Sequence, residues 1–350
     1  MKNTLKYVIA AVAAVISTSG LSAQRPDFYW NIDLSTVFDN REGDTKYADA
    51  RTFFQVQAAP EIGISFSDDH HLIAGGAVWT QPIGCEWNGH RVSPTLYYRY
   101  ENEDLRFAMG MFGKDKLFEE MPNYIWNDSI NYAQRNIRGA MVGYRNAKGY
   151  VQAFVDWRGM QTESQREAFN IIASGERKQF DGKFVWGGLL MMNHLAKDKS
   201  PDNVNQFVVD NFVYNPYIGI NVAKMVKSSL DSCSIRAGVL GGLTRDRSDR
   251  QWKTPMGIWA DVDVMWKFLE LQNTFYSGGK LFPYYGTFGA ILDQGEPYYA
   301  ASLYNRTSVY VYFLRRSFIN IKASLDFNIA PSHFNFYQRV MVEFSLSGLI

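Results

Sequence analysis

The last stretch of the chain constrains its fold more than any other. From Ile319 to Ile329 the odd positions are apolar (Ile319, Ile321, Ala323, Leu325, Phe327, Ile329) and the even ones polar (Asn320, Lys322, Ser324, Asp326, Asn328). After a break at Pro331-Ser332, Val340, Val342, Phe344 and Leu346 are set against Arg339, Glu343, Ser345 and Ser347. A period of two makes a strand with one apolar and one polar face. Held over ten or more residues, it outruns the usual soluble strand of about five or six. It suits a tilted membrane strand, which needs roughly 9–11 residues.

The pattern recurs along the chain. Residues 28–38 set Phe28, Trp30, Ile32 and Leu34 against Asn31, Asp33 and Ser35; residues 54–66 set Val56, Ala58, Ile62 and Ile64 against Gln55, Gln57, Glu61 and Ser65. Pro60 inside the second run predicts a bulge or local gap in the ladder. Further units run over 71–80, 92–100, 105–112, 137–144, 150–158, 168–175, 183–194, 211–224, 234–243, 256–266, 268–276 and 301–313. Alternation is poorest in 168–175 and 183–194. The total is about sixteen strands, within a range of about 14–18.

Their connections alternate as well. Short turns (67–70, 101–104, 146–149, 227–231, 266–267, 315–317) rotate with long segments (39–51, 81–91, 114–136, 198–210, 244–255, 278–299). Short periplasmic turns opposite long outer loops are the habit of an outer-membrane barrel, and both termini on the periplasmic side require an even strand count. In hydrocarbon every backbone N–H and C=O needs a partner, which strands supply only when the sheet closes. The expected fold is a closed antiparallel transmembrane β-barrel in a bacterial outer membrane. Trp30, Tyr98, Tyr100, Trp157, Trp266 and Phe344, near strand ends on the apolar face, would form its aromatic girdle.

Composition agrees. Aromatic residues are 15% of the chain and mean hydropathy is −0.25, as expected when a polar lumen offsets a lipid face. No run approaches the ~18 apolar residues of a spanning helix. Residues 1–23 (Met1-Lys2-Asn3-Thr4-Leu5-Lys6, an apolar run, then Leu21-Ser22-Ala23) have the layout of a secretory signal peptide. With no linker or shift in composition beyond it, residues 24–350 form one barrel domain. Of 36 Lys and Arg against 35 Asp and Glu, two lysines sit in 1–23, leaving the remainder one negative charge net. That gives no electrostatic case for nucleic acid. Cys85, expected in an outer loop, and Cys233, near the periplasmic rim, would lie too far apart to bridge.

With the apolar stripes facing lipid, the opposite stripes line a lumen. Inward acids are Asp33, Glu61, Asp156, Asp261, Asp263, Glu270, Asp326 and Glu343; inward bases are Arg99, Arg106, Arg138, Arg158, Arg236, Arg306, Lys322 and Arg339. Both signs on many strands mean a wet interior, and a barrel of this size is too wide for its side chains to fill. Segment 114–136 carries Asp115, Glu119, Glu120 and Asp128 among Phe118, Met121, Tyr124, Ile125 and Trp126. An outer loop that apolar is expected to pack against the inner wall and narrow the pore. Facing it at mid-depth would be Asp33, Glu61, Arg306, Lys322, Asp326 and Arg339. Mixed charge predicts weak selectivity, with the loop acids favouring cations.

Enzyme signatures are thin. Asp68-Asp69-His70-His71 fills a tight turn where Asp serves turn geometry, and His90, His194 and His333 are isolated. No catalytic residue, metal ligand set or cofactor motif is assigned.

Arg106–Phe112, Met121-Pro122, Asp128-Ser129, Asn136–Gly139, Val155-Asp156-Trp157 and Arg166-Glu167-Ala168-Phe169 resemble the porin-type barrels of Bacteroidetes, distantly similar to phosphate-selective and alginate-export porins. The resemblance implies a sixteen- or eighteen-stranded channel and names no substrate. The mixed lumen charges depart from the Lys/Arg ladder of the phosphate-selective members. The expected function is a passive diffusion channel for small hydrophilic solutes. Alternatives are a channel specific for an oligosaccharide or anion, with Tyr217, Trp259, Tyr304, Tyr310 and Tyr312 as a stacking track, a non-conducting surface or adhesin barrel, and a barrel enzyme. Expected partners are membrane lipid, lipopolysaccharide and the solute, with a homotrimer as the assembly to consider.

Overall fold

The computed structural model describes residues 26–349 apart from 45, 81–90, 204–205, 227–228 and 250. The proposed leader and Cys85 lie outside the described residues. Sixteen strands close into one antiparallel barrel, each paired with its neighbours in sequence. They are β1 (Asp27–Gly43), β2 (Arg51–Ser67), β3 (His70–Thr80), β4 (Arg91–Glu101), β5 (Leu105–Gly113), β6 (Asn136–Asn146), β7 (Gly149–Gly159) and β8 (Ala168–Gln179). The second half comprises β9 (Phe184–Leu195), β10 (Val209–Asn221), β11 (Ser232–Asp246), β12 (Met256–Trp266), β13 (Leu269–Gly278), β14 (Leu303–Arg315), β15 (Ile319–Ala330) and β16 (His333–Leu349).

The alternating C-terminal stretch closes the sheet. β16 pairs with β15, where Ile321 faces Val342, and with β1 from Tyr29↔Leu349 to Gly43↔Asn335. Its outward set includes Val340 at 46% exposure and Leu346 at 42%, whereas Arg339 and Asn335 point inward and are buried. The same division runs round the wall: Ile62, Leu96, Leu190 and Ile258 stand out into the bilayer region, and Ile73, Ile137, Ile172 and Leu240 are buried inside. This is the wall of an outer-membrane barrel. At Pro60 the pairing with β1 continues (Ile32↔Pro60), but the ladder to β3 lapses between Ala58 and Glu61. Proline has no N–H to give to both sides.

Three features depart from the sequence reading. β1 runs to Gly43, so Asp39 and Arg41 belong to the wall instead of a loop that starts at 39. At the long-loop end, β15 and β16 meet through Pro331-Ser332 alone, which interrupts the rotation of short and long connections. The inner wall of β5–β11 is also apolar in part. Phe112, Ile137, Met141, Phe154, Ile172, Leu189, Val213 and Leu240 form a core with residues of two inserted loops. Poor alternation in β8 and β9 follows directly, because Ile171 faces lipid while Ile172 faces that core.

Candidate channel constriction

Segment 114–135, between β5 and β6, enters the lumen. Its first anchor is Phe118, whose backbone N–H donates to Gln152 Oε1 at 2.7 Å and whose ring lies between the guanidinia of Arg106 and Arg145, 4.7 and 4.6 Å from the centroid. The seat exists because β6 offers Gly143: a Cβ there would come within 2.5 Å of the Phe118 ring. Deeper in, Trp126 packs on Phe154 with Lys114 Nζ 3.9 Å from its ring centroid, and Tyr124 donates to Asn215 Oδ1 at 2.9 Å. The segment ends in α1 (Asp128–Ala133), capped by Asn127, whose side-chain oxygen accepts from Ile130 N–H.

Asp128 in the first turn of α1 meets the opposite wall. One of its oxygens accepts from Arg306 and from Arg339, each at 2.8 Å. Behind them Asp326, fully buried, accepts from Arg339 at 2.7 Å and Arg306 at 3.1 Å. Ser308 and Ser324 also donate to Asp326. Burial alone would raise the Asp128 carboxyl, but Arg306 and Arg339 outweigh it and hold it well below the usual range.

A second segment, 279–302 between β13 and β14, joins the first. Inward asparagines at one level of three adjacent strands, Asn170↔Asn193↔Asn211, take three consecutive residues of it. Asn193 donates to Leu292 O, Asn211 to Asp293 Oδ1 at 2.8 Å, and Asn170 to Gln294 Oε1 at 3.4 Å. The two segments also hold each other: Asn127 Nδ2 donates to Gly295 O, Glu296 N to Asn123 O and Tyr299 Oη to Asn123 Oδ1. Burial pushes both Asp293 and Glu296 up to about 7, opposed by Asn211 and Arg158 in the first case and by Arg306 in the second.

Within this plug Tyr298 and Tyr299 are fully buried against Tyr304 of β14, also buried. Below it lie two chambers of about 1110 and 560 Å³, both bordered by Asp128, Glu120 and Trp126. The larger reaches Asn146 and Ser232, the smaller Arg316 and Ser317, all at the short-turn end.

The residues singled out from sequence fall as follows. Arg306, Asp326, Arg339 and Asp128 form one cluster. Asp115 pairs with Lys116 at 2.6 Å and lies 3.7 Å from Arg135, which also holds Asp33 at 2.5 Å. Glu119 pairs with Arg145 at 2.7 Å, Lys322 with Glu343 at 3.5 Å, and Glu61 accepts from Tyr97 at 3.1 Å. Glu120 is exposed between the chambers. Arg138, expected to face the lumen, is turned outward: it shares a face with exposed Val142, while Ile137 and Met141 point in. It sits near the outer end of β6, where a long cationic side chain reaches water, and it donates to Arg158 O.

Sequence reasoning missed Glu296 and Asp293, which nothing in 278–299 marks as inserted. It also missed Asp39 and Arg41, paired at 2.8 Å and signalled by the inward parity of Asp33 continued along β1. His71 is not a solvated turn residue: it is buried in the lumen 2.5 Å from the Ser65 hydroxyl. Its neighbour His70 contacts the Tyr98 hydroxyl at 2.5 Å on the outer face.

Known structures share this architecture. The barrel is similar to Pseudomonas aeruginosa OccK9 (OpdG), at 8% identity and a TM-score of 0.54 over 93% of this chain and 99% of that one. It is similar to OpdK of the same organism, at 11% identity and 0.52 over 92% and 99%. It also matches Pseudomonas putida OprB, at 9% identity and 0.51 over 92% and 94%. These likenesses establish a porin-like sixteen-stranded barrel; the expected tie to Bacteroidetes, phosphate-selective or alginate-export porins is not among them. No curated protein matches the chain. A family model described as lipid A 3'-O-deacylase-type matches residues 21–348, and the chain belongs to that family.

Proposed function

We propose that this protein is a gated outer-membrane channel for small hydrophilic solutes. The observation that carries the reading is Asp128, on an inserted loop, bridging Arg306 and Arg339 of the wall above a polar chamber. A loop held by ion pairs has a docked and an undocked arrangement, which is what a gate needs. In the docked arrangement the two loops fill the outer half of the lumen, so diffusion requires that they shift. Because Asp115, Glu119 and Asp128 are each paired with a base, selectivity by sign is weak, with a small cation preference from Glu120. A structure of OpdK with vanillate gives a solute-specific form of this reading a precedent in the same fold. Reversal potentials of refolded protein in planar bilayers under a salt gradient test it; strong anion selectivity or no current at any voltage counts against it.

The family description supports a second reading, hydrolysis of an acyl ester on lipid A. The Ser65–His71 contact is its best candidate, a hydroxyl beside an imidazole. Both side chains are buried inside the wall near the Asp68-Asp69 turn, away from the outer leaflet, which favours the non-enzymatic reading. Mass spectrometry of lipid A from cells expressing the protein or His71→Ala decides between them. Lipopolysaccharide around the outer rim and a homotrimer complete the proposal, the latter checked by sedimentation in detergent.

A further inference from the structure

We infer that the inner end of the larger chamber binds a neutral saccharide, built around Trp259, Trp126 and Tyr217. The inference deepens the channel reading by naming its solute class. The chamber, about 1110 Å³, is slightly larger than the ligand-pocket range of about 300–1,000 Å³.

Its arginines are already used. Arg236 pairs with Glu176 at 2.9 Å, Arg145 with Glu119 at 2.7 Å and Arg306 with Asp128 at 2.8 Å. An anion bound by one of these arginines would have to break its pair and leave a partner uncompensated, whereas a neutral solute would not.

Uncharged groups remain on offer. Trp259 and Tyr217 lie with ring centroids 5.9 Å apart, and Tyr124 meets Trp259 edge-on at 6.2 Å. Tyr217 can lie along the wall because its neighbour on β9 is Gly187, where a Cβ would come within 2.7 Å of the Tyr217 hydroxyl. Both indoles carry an unanswered donor: Nε1 of Trp259 and of Trp126 are buried without an acceptor, in side chains 5% and 3% exposed. A buried N–H without a partner is costly. A sugar ring answers both features, since its C–H face packs on an aromatic ring and its rim carries acceptor oxygens. A carboxylate would instead seek arginines that are already engaged.

The test uses full-length protein refolded in detergent, titrated calorimetrically with maltotriose, with tetraethylene glycol as an uncharged chain control and gluconate as an anion control. Saturable binding of maltotriose alone is expected, weakened about five- to tenfold in Trp259→Phe, which keeps an aromatic ring and removes the N–H. Trp252→Phe, outside the chamber, should leave it unchanged and controls for the loss of an indole. No maltotriose binding, equal binding of gluconate or the glycol, or an unaltered affinity in Trp259→Phe overturns the inference. Planar-bilayer current separates the two readings: sugar binding without ion current sinks the channel and leaves the site, and current without sugar binding does the reverse.

Discussion

Asp128 and Arg339 are 211 residues apart in the chain and 2.8 Å apart in the lumen. One belongs to a loop and the other to the strand that closes the barrel. With Arg306 completing the bridge, this contact fixes how far the inserted segment can stand off the wall.

Replacing Asp128 by Asn should release that segment. It removes one charge from a buried cluster and leaves Arg339 facing Asp326, and Arg306 facing Asp326 and Glu296, a type of loss that costs about 3–5 kcal/mol. The expected outcome is larger single-channel conductance and a reversal potential moved toward anions. An unchanged reversal potential would show that the bridge does not face the conducting path.

Seating of 279–302 should weaken as pH rises. The Asp293 carboxyl, ordinarily near 3.8, is pushed up to about 7 by burial, so the docked loop favours the protonated form. Docking is strongest below about 4 and is lost progressively as pH rises toward about 7. Asp293 faces Asn211 and Arg158, and Glu296, also raised to about 7, faces Arg306, Arg41 and Arg339. Channel open probability, or protease cleavage within the loop, should therefore rise from acid to neutral pH. Asp293→Asn should flatten the part due to that residue.

The asparagine row predicts a graded response. Asn193→Leu or Asn211→Leu strips one hydrogen bond from the loop and leaves a buried backbone or carboxyl oxygen unanswered, at about 1–3 kcal/mol each. Amide hydrogen exchange should speed up across 289–296 while the barrel strands stay protected. Equal exchange in loop and wall would mean that the row does not anchor the loop.

The two faces of the barrel wall should differ sharply. Leu190 and Ile258 stand in the lipid-facing set at 64% and 65% exposure. Arg at either should cost about 2–4 kcal/mol if the position lies near the bilayer midplane. Lys322→Gln, on the luminal face of β15, loses only a pair with half-exposed Glu343 and should cost about 1 kcal/mol or less. Urea unfolding of the barrel in lipid vesicles measures both.

Gly143→Val should displace Phe118, since even a Cβ would overlap the ring. The barrel wall should survive while the Arg106–Phe118–Arg145 stack is lost, read as faster proteolysis of 114–135 with unchanged strand content by circular dichroism.

The sequence by itself determined the wall. A period of two assigns each side chain to lipid or lumen wherever one face is apolar and the other polar, and an even count with both termini at the short-turn end follows from the connections. Those are local properties, carried by neighbouring residues, and they place Asp33, Glu61, Lys322, Asp326 and Arg339 on the inner face without coordinates. Arg138 escaped because a long cation at a strand end reaches water from either face. Only the tertiary structure decided which inner residues meet. The partners of Arg306 come from the second inserted loop, the first and a neighbouring strand, and their convergence depends on barrel diameter and register. The insertion of 279–302 was illegible for the same reason. Its grip comes from one amide on each of β8, β9 and β10, and the residues these hold lie 82 to 124 positions further along the chain, brought against them only when the sheet curls into a barrel.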